Sequence, residues 1–219
     1  MSDDLHIAVF AKAPLAGRVK TRLIPLLGEA GAAQVQRAMT RHALTIAGIA
    51  APGQVSLWTD GDFDHPFLLE CDGRFNAARY RQCDGDLGRR MANCFEVLLP
   101  AHRHVVLIGT DCPVLSALDL QQAEAALQRG ARMTFTPAED GGYVLVGMRC
   151  TEGEGTRQAT QAAFGAITWS TDAVMAQTRA ALATLGWLAQ RDWVELAPKW
   201  DVDTPTDYLR AVRGGLDVV

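Results

Sequence analysis

The sequence predicts an α/β protein with a mostly parallel sheet that is covered by helices on both faces. Short apolar or β-rich runs alternate along most of the chain with longer segments of helical periodicity. This alternation is typical of parallel strands joined by crossover helices. The runs lie at His6–Ala11, Gln54–Thr59, Ala78–Gln82, His104–Gly109, Arg132–Pro137, Tyr143–Met148 and Trp193–Leu196, and the clearest helical segments at Glu29–Ala50, Leu87–Leu99, Ala117–Arg129 and Thr171–Leu185.

Three local features refine this outline. The runs Arg132–Pro137 and Tyr143–Met148 follow each other without a helix between them, which predicts an antiparallel strand within the sheet. Thr204 with Asp207, and Ser116 with Asp119, have the spacing of capping boxes and mark two helix starts. The polar, glycine-rich segment Thr151–Thr160 predicts a mobile loop.

Length and composition limit the function classes. The 219 residues, 48% hydrophobic and 21% charged, fit one globular domain over residues 1–219, in which no linker is visible. A net charge of −4 argues against general nucleic-acid binding. No apolar run approaches the roughly 18 residues that a membrane span needs. Five widely spaced cysteines without a C-x-x-C pair indicate reduced thiols in the cytoplasm, and no zinc-ligand pattern is present.

The first candidate site is the loop that follows the first predicted strand. It carries four cations and a glycine, at Lys12, Gly17, Arg18, Lys20 and Arg22. A cationic, glycine-containing loop between a buried strand and a helix is typical of phosphate binding. It has neither the Walker A nor the G-x-G-x-x-G pattern, and a solvated basic turn is the alternative interpretation.

A candidate metal site combines carboxylates from two distant segments. Asp111 follows the apolar run that begins at His104, and ligands collect at such strand ends in α/β sheets. Asp201 and Asp203 follow the last predicted strand, and either one is available as the second carboxylate. Carboxylates that bridge to phosphate oxygens suit Mg²⁺ or Mn²⁺. The alternative is that these aspartates stabilise turns and a helix cap.

Two glycine-containing segments complete the candidates. Asp140, Gly141, Gly142 and Tyr143 predict either an acceptor site, with Asp140 taking a proton, or a tight hairpin. Around the start of the helical segment Leu87–Leu99, backbone N–H groups together with a glutamine side chain are candidates for binding a nucleobase, the alternative being a plain helix start capped by Asp86. These residues are Gln82, Gly85, Leu87 and Gly88.

Taken together, these motifs resemble the DUF2064 family, a glycosyltransferase-like branch of the nucleotide-diphospho-sugar transferase superfamily. The resemblance spans Ile7 to about Leu209, and the motifs that carry it lie at Phe10–Leu23, Gln82–Met91, Gly109–Pro113, Asp140–Tyr143 and Asp201–Asp207. It implies a GT-A fold, a three-layer α/β/α sandwich with a mostly parallel mixed sheet. The first loop also resembles that of 2-phospho-lactate guanylyltransferases, and the last motif recurs in other nucleotidyltransferases.

The resemblance implies a transferase that uses an activated nucleotide together with Mg²⁺ or Mn²⁺. A glycosyltransferase with a nucleoside diphosphate (NDP) sugar donor and a small-molecule acceptor is the first expectation. In it Lys20, Asp111 and Asp140 are the expected catalytic residues. GT-A glycosyltransferases usually carry a D-x-D pair, whereas this chain has the single Asp111. That departure keeps open a nucleotidyltransferase that condenses a nucleoside triphosphate with a phosphorylated acceptor and releases pyrophosphate, and a non-catalytic nucleotide-binding protein.

Overall fold

All seven predicted strands form one sheet in the computed structural model, which describes residues 4–151 and 155–216. The order across the sheet is β3-β2-β1-β4-β6-β5-β7. The strands are β1 Leu5–Lys12, β2 Val55–Asp60, β3 Ala78–Arg81, β4 His104–Ile108, β5 Met133–Pro137, β6 Tyr143–Arg149 and β7 Trp193–Glu195.

The predicted antiparallel strand is confirmed, and it lies in the interior of the sheet. β1 pairs in parallel with β2 on one side and with β4 on the other. β6 runs antiparallel to both β4 and β5. The carboxyl ends of β1, β2, β4 and β5 therefore meet the beginning of β6 at one edge of the sheet. We call this the carboxyl edge.

Seven helices lie among the described residues, and two of them were not predicted. They are α1 Ile24–Ala50, α2 Pro66–Phe75, α3 Leu87–Leu98, α4 Ala117–Gln128, α5 Gly155–Phe164, α6 Val174–Thr184 and α7 Pro205–Arg213. Both capping boxes, at the starts of α4 and α7, are confirmed. The helix α2 escaped prediction because it is short and is capped by His65, whose ring rather than a typical capping side chain accepts the Phe67 N–H.

The expectation of a mobile loop over Thr151–Thr160 is wrong from residue 155 onward, where α5 begins. Ala159, Ala163 and Phe164 are buried and share one face of this helix at spacings of four and five residues. They pack in a cluster with residues of α3 and α6. This contact stabilises a helix whose local sequence is polar, and residues 152–154 of the predicted loop lie outside the described part.

The sheet is the middle layer of a three-layer sandwich, as expected. Side chains of α1, α2 and α4 pack on one face of β1, and those of α3, α5 and α6 pack on the other face. A third, smaller cluster joins the start of α1 to α7 through Leu23, Val35, Val202 and Ala211. The C-terminal segment is thereby held beside the loop that follows β1.

Two sequence expectations concern the surroundings of the protein. In residues 4–151 and 155–216, none of the helices combines the length and the apolar character that crossing a bilayer requires. All five cysteines are free thiols, and three of them are buried. The cellular location stays a prediction.

Candidate functional site

A cleft of about 980 Å³ runs along the carboxyl edge and brings all four sequence motifs together. The predicted site residues that line it are Lys12, Arg18, Lys20, Arg22, Gln82, Gly85, Leu87, Asp111, Asp140, Gly142, Tyr143, Asp201 and Asp203. Gly17, Gly88 and Gly141 do not line the cleft themselves but allow close approaches or turns next to it. Ligands of open α/β sheets bind at this edge.

The cationic end of the cleft is the loop between β1 and α1. Lys12 and Arg18 are exposed, and Arg22 exposes 71% of its side chain beside Asp203. Gly17 has a φ of +77°, a conformation that suits glycine, and a Cβ there would lie 3.3 Å from the Glu29 carboxyl group. The loop therefore presents two arginines and one lysine to solvent in the cleft, as a phosphate-binding loop requires.

Lys20 differs from the other cations of this loop. Its side chain is only 4% exposed, and its Nζ lies 2.7 Å from Asp111 Oδ1 and 3.6 Å from Asp203 Oδ1. It also donates a hydrogen bond of 2.6 Å to the carbonyl oxygen of Val202. The sequence predicted Lys20 as a phosphate ligand, whereas here its ammonium group faces two carboxylates and a carbonyl group.

Backbone contacts bring Asp111 and Asp203 to the same cation. The N–H of Val202 donates to the carbonyl oxygen of Asp111, which joins the C-terminal segment to the loop after β4. In the capping box of α7 it is Asp207, not Asp203, that accepts from Thr204. The Asp203 carboxylate is thus left to contact Lys20 and Arg22.

Asp201 has a different environment from Asp203. Burial, followed by the nearby charges of Asp140 and Asp203, raises the pKa of Asp201 to about 6. The structure gives it no ion pair among the described residues. The sequence left open whether Asp201 or Asp203 binds a metal ion together with Asp111. In the structure it is Asp203 that contacts the same Lys20 ammonium group as Asp111.

The carboxylates of Asp111 and Asp203 are ligands of the kind that a divalent cation prefers, but both already contact a cationic side chain. Carboxylate oxygens are the ligands that Mg²⁺ and Mn²⁺ prefer. In the described parts of the chain, no group of three or more His, Cys, Asp or Glu residues is arranged to hold a metal ion. The ammonium group of Lys20 lies between Asp111 and Asp203.

The opposite end of the cleft is acidic and aromatic. Asp140 is exposed, and its Oδ1 accepts the N–H of Gly142 in a tight turn. The Tyr143 ring packs edge-on against Trp169, which also lines the cleft. The hydroxyl of Tyr143 is buried and has no hydrogen-bond partner among the described groups. Tyr143 therefore presents its ring rather than its hydroxyl to a ligand.

Gly141 fixes the position of this turn. Its φ is +91°, and a Cβ at this residue would lie 2.0 Å from the carbonyl oxygen of Asp172. The Gly141 carbonyl accepts the N–H of Met175, close to the start of α6. The turn that carries Asp140 therefore rests directly on the segment that leads into α6.

The wall of the cleft near β2 and β3 contains an ion pair that was not predicted from the sequence. Arg90 Nη1 on α3 lies 2.8 Å from Asp60 Oδ2 at the end of β2. Arg90 also donates to the Gly85 carbonyl and, at 3.4 Å, to Gln82 Oε1. The Gln82 amide in turn donates to the carbonyl of Trp58. Asp60 could have been predicted as a site residue because it lies at the end of a strand, whereas no local sequence feature distinguishes Arg90.

Gly88 and Asp86 have structural roles at the start of α3. Asp86 accepts the N–H of Arg89 and caps the helix, as one interpretation of this segment proposed. A Cβ on Gly88 would lie 2.5 Å from the Phe164 carbonyl oxygen and from Trp169 Nε1. The absence of a side chain at Gly88 therefore lets Trp169 lie beside the cleft.

Gln36 and Cys112 also lie near Asp111. The buried Gln36 donates to Thr110 Oγ1 at 3.1 Å, and that hydroxyl lies 3.4 Å from Asp111 Oδ1. Gln36 was missed because α1 is distant in sequence. Burial raises the pKa of the Cys112 thiol to about 12, so this thiol stays protonated at neutral pH and is not a nucleophile.

Comparison with known proteins supports the family resemblance. The family model described as "Uncharacterized protein conserved in bacteria (DUF2064)" matches residues 44–171, which is more than half of the chain. A Desulfovibrio desulfuricans G20 protein, provisionally named a nucleotide-diphospho-sugar transferase, has 27% sequence identity and a TM-score of 0.76. That match covers 93% of this chain and 84% of the other. Among curated proteins, none matches the sequence significantly.

More distant structures share the fold. The 4-diphosphocytidyl-2C-methyl-D-erythritol synthase of Anaerococcus prevotii is 10% identical, with 97% of this chain and 96% of that chain covered and a TM-score of 0.59. Glucosyl-3-phosphoglycerate synthase of Mycobacterium tuberculosis, solved with Mn²⁺, UDP and glucosyl-3-phosphoglycerate, is 12% identical. The match covers 94% of this chain and 75% of that chain, with a TM-score of 0.53. These likenesses confirm the GT-A-like fold.

Proposed function

The chain belongs to the DUF2064 family, and we propose that it is a nucleotide-dependent transferase. In the first form of this proposal it moves a sugar from an NDP-sugar to a hydroxyl group of a small-molecule acceptor. The D. desulfuricans relative is named a nucleotide-diphospho-sugar transferase, and glycosyl transfer and nucleotidyl transfer both occur among the proteins that share this fold. The fold alone therefore does not choose between the two reactions, and the choice depends on the cleft.

The observation that carries the proposal is the division of charge along the cleft. Among the described residues that line it, every lysine and arginine belongs to residues 12–22 or to α3. The other end presents Asp140, Asp172 and Asp201 with the ring of Trp169. Carboxylates accept hydrogen bonds from hydroxyl groups and repel phosphates. This end suits an uncharged, hydroxyl-rich sugar or acceptor better than a phosphorylated one.

The roles of the residues follow from this division. Lys12, Arg18 and Arg22 hold the diphosphate, the two arginines through pairs of N–H donors. Asp140 lies where the acceptor binds and takes the proton of its hydroxyl group. When a divalent cation is bound, Asp111 and Asp203 are the residues that would hold it, and it would offset charge on the departing diphosphate.

The nucleoside would lie against the wall of the cleft near β2 and β3, at Gln82, Gly85 and Leu87. Sheet order supports this placement, because β2 and β3 lie on the side of β1 that faces away from β4 and Asp111. An NDP-sugar with its phosphates at the first loop would then direct its base towards β2 and its transferable sugar towards Asp140. The Asp60–Arg90 pair lines that base end.

One observation favours nucleotidyl transfer as the second candidate. The carboxylate that shares a cation with Asp111 is Asp203, from a distant segment, and not a neighbour in a D-x-D pair. In this second form the same cations hold a nucleoside triphosphate and the leaving group is pyrophosphate. The acceptor would then have to bring a phosphate to the acidic end of the cleft.

Identification of the released phosphorus compound distinguishes the two reactions. Purified protein with Mg²⁺ or Mn²⁺ is incubated with NDP-sugars or nucleoside triphosphates and an acceptor panel, and ³¹P NMR follows the products. We expect release of a nucleoside diphosphate from an NDP-sugar, and we expect it to disappear in Asp111→Asn. Pyrophosphate release would select the second candidate. A protein that binds nucleotide but releases neither product would be the non-catalytic alternative.

A further inference from the structure

Oxygen atoms of the protein surround the Lys20 ammonium group. The group carries three N–H donors. Its three oxygen neighbours are Asp111 Oδ1 at 2.7 Å, the Val202 carbonyl oxygen at 2.6 Å and Asp203 Oδ1 at 3.6 Å. Two of its three donors are therefore engaged by Asp111 and Val202, and the charge of the group also faces the Asp203 carboxylate. The residue expected to bind phosphate therefore occupies the position of a cation shared by two carboxylates.

We propose that Lys20 is a resident cation that closes the Asp111–Asp203 pair to a divalent ion until nucleotide phosphates draw its ammonium group away. Nucleotide and metal then bind cooperatively, and each is held weakly without the other. The inference rests on the proposed function to the extent that it needs a bound nucleotide. It specifies that nucleotide phosphates displace Lys20 before the divalent ion is held tightly, which neither the family nor the fold implies.

Electrostatics carries the argument. A divalent ion held by Asp111 and Asp203 would share carboxylate oxygens with an ammonium group of like charge, and the two cations repel each other. That repulsion is little screened, because the Lys20 side chain is only 4% exposed. The two carboxylates are 47% and 44% exposed, so they remain open to a ligand in the cleft.

The nucleotide supplies the force that moves Lys20. Phosphate oxygens are strong acceptors for ammonium groups, and the exposed Arg18 and Arg22 bring them to the same loop. The lysine side chain has a flexible four-carbon stem that can carry its charge to a new partner. Once the ammonium group has turned to the phosphates, both carboxylates are free. Reciprocity requires that the metal tighten nucleotide binding by the same factor.

The first test compares Mn²⁺ affinity without nucleotide in three proteins, measured by electron paramagnetic resonance of free Mn²⁺. Lys20→Met removes the ammonium group and keeps the length of the side chain. We expect it to bind Mn²⁺ at least tenfold more tightly than the wild type. Lys12→Met removes the same charge from an exposed position of the same loop, and we expect a change below threefold. Equal Mn²⁺ affinity in folded Lys20→Met and wild type would overturn the proposal.

A second test keeps the native sequence and remains informative if Lys20→Met fails to fold. The chain has only three lysines, Lys12, Lys20 and Lys199, so ¹³C labelling of lysine Cε gives three NMR signals that Lys→Arg variants assign. We expect Mg²⁺ alone to leave the Lys20 signal in place. UDP or GDP with Mg²⁺ should shift it, while Lys199, paired with Asp119 outside the cleft, stays unchanged.

The outcomes separate this inference from the proposed function. If UDP or GDP raises the melting temperature and shifts the Lys12 signal while the Lys20 signal stays fixed, the proposed function survives and the role of Lys20 is wrong. If no nucleotide binds at all, the proposed function fails and the cooperative part of this inference fails with it. In that case the Mn²⁺ comparison still decides whether Lys20 closes the carboxylate pair.

Discussion

The two ends of the cleft are built in different ways, although both lie on one sheet edge. The cationic end is a loop with exposed arginines, and its glycine faces only the carboxyl group of Glu29, a flexible side chain. The acidic end is a turn that rests on backbone, with Gly141 against the Asp172 carbonyl group. Under the proposed function, the first end would be free to adjust to a flexible diphosphate, whereas the second would hold an acceptor in a fixed position. Asp111 and Lys20 lie between them.

The largest expected effect concerns the middle of the cleft, where the two ends meet. Asp111→Asn should lower turnover by about 10³-fold, because it removes the carboxylate that Lys20 contacts and that, in the proposed function, would hold a divalent ion. The measurement is the rate of NDP release from the donor found in the screen. Asp62→Asn, which removes an acid outside the cleft, is the control and should retain normal turnover. Turnover within tenfold of the wild type in Asp111→Asn would contradict the assignment.

The next prediction tests whether the two ends differ in rigidity. Gly141→Ala should destabilise the protein by at least about 3 kcal/mol, since its Cβ would overlap backbone atoms of Asp172 in addition to the strain of a positive φ. Gly17→Ala should cost only about 1 kcal/mol, because the Glu29 side chain can move. Urea unfolding measures both variants. Similar losses of stability would show that the two ends do not differ in this way.

A third prediction compares the cleft with the opposite edge of the sheet. His6 at the start of β1 is 7% exposed, its Nε2 lies 2.8 Å from Ser56 Oγ, and its ring packs at a tilt of 31° against His102. Burial, helped by the charge of His102, lowers the pKa of His6 from 6.5 to about 4. The unfolded chain therefore takes up this proton at a higher pH than the folded chain does.

The sign of the effect follows from that difference. The contribution of His6 to stability is complete above pH 6.5 and is lost as the pH falls towards 4, by up to about 3 kcal/mol. Asp201, with its pKa raised to about 6, acts in the opposite direction, because its charged form is disfavoured in the folded state. The difference between wild type and His6→Gln in urea unfolding from pH 7 to pH 4 isolates His6. A pH-independent difference would show that His6 titrates normally.

A smaller effect separates the roles of the two ends in binding. Arg18→Ala should weaken binding of a nucleoside diphosphate about tenfold and leave affinity for the nucleoside unchanged, since it removes one charge-assisted pair of hydrogen bonds. Asp140→Asn should keep diphosphate affinity within twofold and lower kcat. Calorimetric titration and steady-state kinetics measure the two effects. If Asp140→Asn weakened the diphosphate as strongly as Arg18→Ala, the division of the cleft would be wrong.

The smallest effect is expected at Tyr143. Its hydroxyl is buried and has no hydrogen-bond partner in the described part of the chain, so Tyr143→Phe removes an unsatisfied group and should change stability by less than about 1 kcal/mol. KM for the acceptor should stay the same, because only the ring faces the cleft. A large increase in that KM would show that the hydroxyl binds the acceptor after all.

The sequence predicted the features of this molecule that are local or periodic. The strands, the two capping boxes and the four motifs at the carboxyl edge each have a short pattern of their own. The sequence did not predict that Lys20 pairs with Asp203, which lies 183 positions along the chain, or that Arg90 meets Asp60. Both contacts depend on the strand order and on how α3 and α7 pack against the sheet. The helix α5 was missed because its stability depends on contacts with α3 and α6, not on local propensity.

The central claim is that the cationic end of the cleft binds a nucleoside diphosphate with the help of the carboxylate pair. Calorimetric titration of the wild-type protein with UDP, GDP, CDP, ADP and TDP, with and without Mn²⁺, tests it most directly. We expect that at least one diphosphate binds, more tightly with Mn²⁺ than without it, and that Asp111→Asn removes the Mn²⁺ dependence. Absence of binding for every diphosphate with Mn²⁺ present, or binding that Mn²⁺ and Asp111→Asn leave unchanged, would contradict it.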